Sequence, residues 1–347
     1  MVLLIFLLIL IGVLIGKIRV GNIKLGLAGV LMVSLLCGVT ASLLDVSYNE
    51  EIFKFLSSFG TALFISVIGL NSGNIFLNVQ KRKAFKAFIA GAFVVFIGTV
   101  CAALLFELVP KDILLGLFSG ALTSTPALSS AQELCGIASA VAVGYGVSYV
   151  VGLLSIVLFV QIIRIPSSEP QTVYVDSRND TNKKRVEMLV LLSAVITLGS
   201  LLGKVLPIGN TGGILVVGFV VGVILALKGV HVPEMEDCKN LGLVLFFVGA
   251  GFPAGMKMIS NLSWKYFVCG LAISFCTVIL GYFILRHLFR YSIADALTVL
   301  CGGMTSTPAI GVLQERNFIP NLSLYAMSYT GALFALILSV RLLYYLI

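Results

Sequence analysis

The five residues Thr-Ser-Thr-Pro-Ala occur twice in this chain of 347 residues, at Thr123–Ala127 and Thr305–Ala309, each time inside a long apolar segment. Six hydroxyls thereby stand in surroundings that offer few other polar groups: those of Thr123, Ser124 and Thr125, and those of Thr305, Ser306 and Thr307. Pro126 and Pro308 fit a first helical turn, where the missing N–H costs nothing. Thr125 and Thr307, just before them, are suited to cap the exposed amides. Each proline is therefore expected to open a short helix deep in an apolar phase. Such a start presents amide donors and about half a positive charge. The chemistry on offer is recognition of a small anionic solute such as a carboxylate, and the hydroxyl and carbonyl oxygens could also hold Na+.

The repeat extends beyond the motif. Gly120–Glu133 and Gly302–Glu315 agree at eight of fourteen positions, including the pairs Gln132-Glu133 and Gln314-Glu315. One copy alone reads equally well as a kink in a spanning helix; two at equivalent positions do not. Matched Pro-broken hydrophobic segments in two halves of a membrane protein point to a transporter binding site.

Two further constellations recur. Gly69-Leu70-Asn71-Ser72-Gly73 and Gly251-Phe252-Pro253-Ala254-Gly255 are expected as turns that end their segments, with Asn71 and Ser72 offering polar contacts to a solute. Close helix packing through the glycines is the alternative. Tyr145 and Tyr149 match Tyr325 and Tyr329, one helical turn apart in each pair. Buried tyrosine hydroxyls need polar partners, so Tyr149 and Tyr329 are candidates to line the cavity, with an interfacial belt as the other reading. Glu133 and Glu315 follow the prolines by seven residues, about 10 Å of helix, and are expected at a solvated base. Proton coupling through them stays open, as does Na+ coupling. No cofactor is implied. Nothing reads as an enzyme: His231 and His287 sit at loop edges and no base lies near the motif hydroxyls.

The elements that must position these groups follow from composition. Hydrophobic residues make up 59% and charged residues 11%, and mean hydropathy is +1.10. A soluble domain carries about 25% charged residues, so the chain is all-α and polytopic in a lipid bilayer. The net charge of +8 implies no nucleic acid, because the basic residues lie in short loops between apolar segments. The seven cysteines form no C-x-x-C pair and read as small hydrophobes. Twelve apolar segments can be marked, roughly 1–16, 26–44, 53–70, 84–109, 113–131, 137–163, 186–206, 212–229, 240–256, 264–288, 293–312 and 321–346. The first is expected as a retained span rather than a cleaved signal.

The organisation expected is a first membrane repeat over 1–165, a cytosolic linker over 166–185 and a second, inverted repeat over 186–347. If each Pro-broken segment enters and leaves on one face, each half crosses five times and the second half is inverted. With both termini outside, Lys and Arg then divide 17 inside to 6 outside, the direction the positive-inside rule requires. Six crossings per half shrink that asymmetry. Ten spans plus two re-entrant hairpins is the reading taken.

These residues also resemble a known family. Two copies of G-[AG]-x-T-S-T-P-A, each preceded by G-x-x-x-G in the third segment of its half, are similar to the aspartate–alanine exchanger family. The resemblance implies a bacterial inner-membrane secondary transporter of small carboxylates or amino acids, with inverted repeats and elevator-type movement. A homodimer and exchange of two solutes are also implied. Members of that family typically carry TrkA-C-like cytosolic domains between the halves, where this chain has only 166–185. A passive channel or a membrane regulator of export is the competing class.

Overall fold

The computed structural model describes residues 2–20, 23–24, 26–78, 81–136, 140–164, 187–206, 208–230, 235–256, 263–306, 309–310, 312–313 and 320–346. Thr307, Pro308, Gln314, Glu315 and the linker 166–185 fall outside them. Among the described residues there are thirteen helices and one two-residue antiparallel ribbon, Arg19–Val20 against Ile23–Lys24. The helices are α1 Val2–Gly16, α2 Ala28–Leu43, α3 Glu50–Asn78, α4 Lys81–Ala103, α5 Lys111–Ala121, α6 Thr125–Cys135, α7 Val141–Ile162 and α8 Met188–Val205. They continue with α9 Gly209–Leu227, α10 Glu236–Met256, α11 Trp264–His287, α12 Ile293–Gly303 and α13 Leu322–Leu346.

Eight of these helices are long and apolar enough to cross a membrane: α3, α4, α7, α8, α9, α10, α11 and α13. Apolar α1 and α2 are shorter. Large apolar side chains stand uncovered on α1, where Val2, Leu3 and Phe6 are each about two-thirds exposed or more.

Helices from early and late in the chain interleave. α3 packs on α9 and α10, α2 on α10, α4 on α13, and α7 on both α5 and α11. With lipid on the outside, no hydrophobic force draws helices together, so small residues that let backbones touch do that work. Gly60 and Gly242 are equivalent positions of α3 and α10, and they meet. A Cβ on Gly60 would lie 2.5 Å from the Gly242 carbonyl oxygen, and one on Gly242 2.8 Å from that of Gly60. Further along, Gly249 abuts Phe53 and Ser57, so the two helices run antiparallel.

The expected turns at Gly69–Gly73 and Gly251–Gly255 are corrected: both lie inside helices, in α3 and α10. Their glycines serve contact instead. Gly73 presses on Phe219, Gly222 and Val223 of α9, and Gly255 on Leu35 and Gly38 of α2. Glycine in a helix costs about 1 kcal/mol relative to alanine, which close interhelical contact offsets here. Pro253 is carried within α10.

The segments around the two motifs are broken, as expected. α5 stops at Ala121 and α6 begins at Thr125; α12 stops at Gly303. α5 then lies beside α7 with both starting at one level: the Ala140 amide donates to Asp112 Oδ2 at 3.0 Å. Gly116 touches Val141 and Tyr145, and Gly120 touches Tyr145, Ser148 and Tyr149. These contacts make α5 and α7 parallel. Gly302 of α12 meets Tyr325, Ser328 and Tyr329 of α13 in the same manner.

Candidate functional site: two facing breaks and a polar cleft

Each break is built by one local device. The Thr123 amide donates to Gly120 O and the Ser124 amide to Ser119 O, both at 2.8 Å. The Thr305 amide donates to Gly302 O and the Ser306 amide to Cys301 O, both at 2.9 Å. This is a Schellman ending, which needs a residue in the left-handed region just past the helix. Glycine normally fills that place; here it is threonine, with φ of 54° at Thr123 and 50° at Thr305.

The reason lies in the side chains. Thr123 Oγ1 donates to Met304 O at 2.7 Å, and Thr305 Oγ1 donates to Leu122 O at 2.9 Å. The two breaks thus meet through a reciprocal pair of hydrogen bonds between equivalent residues. All four hydroxyl-bearing residues described here apart from Thr125 are buried: Thr123 8%, Ser124 0%, Thr305 7% and Ser306 1% exposed. The hydroxyls of Thr123 and Thr305, expected to face a solute, are committed to each other's helix ends.

The cap is also corrected. Ser124, not Thr125, is the N-cap of α6, and its Oγ accepts from the Ala127 amide at 3.3 Å. Thr125 is the first helical residue and Pro126 the second. The capping residue must keep extended backbone, which Ser124 does with φ −101° and ψ 105°. Thr125 Oγ1 instead lies 3.5 Å from Tyr145 OH. Thr307 and Pro308, which correspond to Thr125 and Pro126, lie outside the described residues, while the hydroxyl of Ser306, the equivalent of Ser124, is buried without a hydrogen-bond partner among the described residues.

The tyrosines come to this place. Tyr145 is fully buried and stacks on Tyr149, with ring centroids 5.3 Å apart. Tyr325 and Tyr329 pair at 5.8 Å. Tyr149 and Tyr329, equivalent positions from the two halves of the sequence, lie within electrostatic reach of one another. Asn71 and Ser72 sit differently. They occupy the α3 stretch that faces α9, and among the described residues no hydrogen bond joins them to either break.

Sequence reasoning missed the polar network beside α6. Ser129 Oγ donates to Thr61 Oγ1 of α3 at 3.0 Å and lies 3.2 Å from Thr211 Oγ1 of α9. Thr211 donates twice to Glu133 Oε1, from its amide at 2.6 Å and its hydroxyl at 2.5 Å. Glu133 Oε2 faces Arg341 Nη2 of α13 at 3.5 Å, and the Glu133 side chain is 24% exposed. Glu133 is therefore held by groups from two other helices, α9 and α13, rather than resting on a solvated base. Its donors are 78 and more residues away in sequence, which hides them from local reading. Arg341 was visible as an arginine within the last apolar segment.

A cavity of about 770 Å3 runs alongside this network. Glu50, Lys54, Phe55 and Phe59 line its exposed end, and buried Thr61, Ser129 and Gln132 its inner end. Ser200 and Asn210 complete one wall. The arrangement combines polar groups from α3, α6, α8 and α9 around a volume suited to a small organic molecule. Among the described residues no cluster of acidic, histidine and cysteine side chains could hold a metal ion.

Comparison with known proteins agrees with a helical membrane protein. The family described as "Predicted Permease Membrane Region" matches residues 4–165 and 191–345, nearly the whole chain. An uncharacterized transporter of Bacteroides fragilis is 34% identical over 164 residues, covering 45% of this chain and 28% of that protein. An uncharacterized transporter of Rhodopirellula baltica is 33% identical over 175 residues, covering 49% and 31%. The aligned part thus spans less than a third of either relative. With both membrane regions matched and both motifs in place, the chain is a membrane protein of a transporter family, and it belongs to the aspartate–alanine exchanger family.

Proposed function

We propose that the chain is a secondary transporter that exchanges small carboxylates or amino acids across the bacterial inner membrane. The reciprocal bonds between Thr123 and Met304 and between Thr305 and Leu122 carry this reading. Two interrupted helices that meet tip to tip inside a membrane protein have no purpose in a plain spanning bundle. Irregular backbone at that depth is tolerated where it is buried in protein or lines a cavity.

The halves act as inverted repeats. A two-fold axis along the helices would make equivalent helices parallel, and one across them makes them antiparallel. The antiparallel crossing of α3 and α10 at Gly60 and Gly242 supports the second. The parallel packing of α5 and α7, with starts joined by Asp112 and Ala140, supports a re-entrant course for α5 and α6, since α6 must return for α7 to start there. α1, α2, α8 and α9 form the scaffold of a homodimer, and the remaining helices move as the elevator with both tips.

At the tip itself, the solute meets the α6 start. Pro126 has no N–H and the Ala127 amide is taken by Ser124, so the Thr125 amide and hydroxyl are what the first turn offers, with Tyr145 beside the hydroxyl and Tyr149 stacked on Tyr145. The helix dipole favours an anionic group there. Exchange needs no separate coupling ion, and Na+ or H+ coupling is the alternative mode.

The test is counterflow in proteoliposomes with labelled aspartate, alanine and succinate. Saturable uptake that depends on internal solute supports the carrier; an unsaturable leak overturns it in favour of a channel. For topology, Lys54→Cys should react with an impermeant maleimide from outside and Lys228→Cys from inside. Labelling of both from one face would remove the inverted arrangement.

A further inference from the structure

We infer that the cleft between α3, α6, α8 and α9 is a second binding site, distinct from the tips, which takes an uncharged solute through an amide edge. The inference starts from Gln132. It lines the inner end of the cavity, is 3% exposed, and among the described residues neither its Oε1 nor its Nε2 has a hydrogen-bond partner. A buried primary amide left without partners is costly, and native structures rarely keep one without a use. Its neighbours do not compete for it, because Ser129, Thr61 and Thr211 satisfy one another.

Charge selects the class of ligand. Glu50 and Lys54 stand together at the mouth, and Glu133 is offset by Arg341. The lining holds two acids and one base, and Arg341, behind the lining, offsets Glu133, so the cleft has no strong field to draw an anion or a cation. The recognition element is then the amide, which presents an acceptor and donors side by side. Its complement is a C=O next to an N–H, as in a lactam, a ureide or a carboxamide. The volume of about 770 Å3 exceeds what an inorganic ion needs and lies in the range of organic ligand sites. Phe55 and Phe59, with parallel rings 5.6 Å apart, supply an apolar wall at the mouth for the rest of such a solute. The site is separate from the tip reading, because neither Thr123 nor Thr125 lines the cleft.

The experiment is calorimetric titration of the purified full chain in lipid nanodiscs with hydantoin, a ring ureide, and with glutaramide, with succinate as the charged control. The expected result is that hydantoin or glutaramide binds, that Gln132→Leu weakens binding about tenfold, as loss of one well-made hydrogen-bonded pair predicts, and that saturating succinate does not displace it. Gln132→Leu is close in size and removes only unpartnered polar atoms, so its thermal midpoint should equal or exceed that of the parent. Absence of binding by both amide probes, equal binding by Gln132→Leu, or displacement by succinate would each overturn the second site. Because the readout is binding and not flux, a failed counterflow experiment leaves this result standing, and the reverse also holds.

Discussion

A β-branched residue in the left-handed region costs about 1–2 kcal/mol, and this chain accepts that cost at both Thr123 and Thr305. A glycine would remove the strain but also the hydroxyl that ties one break to the other. The two contributions predict an order. Thr123→Val keeps the strain and leaves the Met304 carbonyl without its donor, so it should lower stability by about 1–3 kcal/mol. Thr123→Gly relieves strain while losing the bond, so its loss should be smaller. Thermal unfolding in detergent checks the order, and a valine variant as stable as the glycine variant would contradict the cross-break role. The cap makes a second comparison. Ser124→Ala should cost about 1 kcal/mol, whereas Thr125→Val gives up a long 3.5 Å contact with the buried Tyr145 hydroxyl, so it should cost no more than that and lose solute affinity. The motif's chemistry was legible in the five residues; which hydroxyl capped and which crossed over was not. That division depends on a left-handed turn at Thr123 and on a partner 181 residues away.

At the scale of elements, the hydrophobic segments gave helices whose bounds agree closely with the pattern of apolar residues, because each stretch in lipid must satisfy its own backbone. Where reading by residue type went astray was Gly69–Gly73, taken as a turn. Glycine, asparagine and serine together are turn formers in water, but α3 runs through them because α9 packs against the bared backbone. The same contacts predict graded sensitivity. Gly60→Ala places a methyl 2.5 Å from a backbone carbonyl of α10, which cannot yield without moving the helix. It should cost about 1–3 kcal/mol. Gly98→Ala meets chiefly the side-chain ends of Leu122 and Thr277 and should cost less. Equal unfolding midpoints for the two variants would remove close packing as the glycines' purpose.

For the molecule as a whole, Glu133 joins α6 to α9 and α13, across what the proposed mechanism treats as the boundary between moving and static parts. Glu133→Gln keeps an acceptor for Thr211 but leaves Arg341, 12% exposed, without its counter-charge. Given partial exposure, a loss of about 1–3 kcal/mol is expected, with part of it regained in Glu133→Gln, Arg341→Gln. Absence of any recovery in the double variant would mean that the pair does not interact. The sequence by itself determined that the chain is a helical membrane protein, that its apolar segments break at two equivalent motifs, and to which family it belongs. Hydropathy, proline and repetition are local or self-referential signals, readable without knowing what packs against what. Only the tertiary structure decided that the two breaks bond to each other, that Ser124 is the cap, that Glu133 meets Thr211 and Arg341, and that Gln132 lines a cleft with its amide unpartnered among the described residues. The bonds between the breaks and the contacts of Glu133 pair residues far apart in the chain, and their meeting is set by helix packing through glycine rather than by any spacing along the sequence.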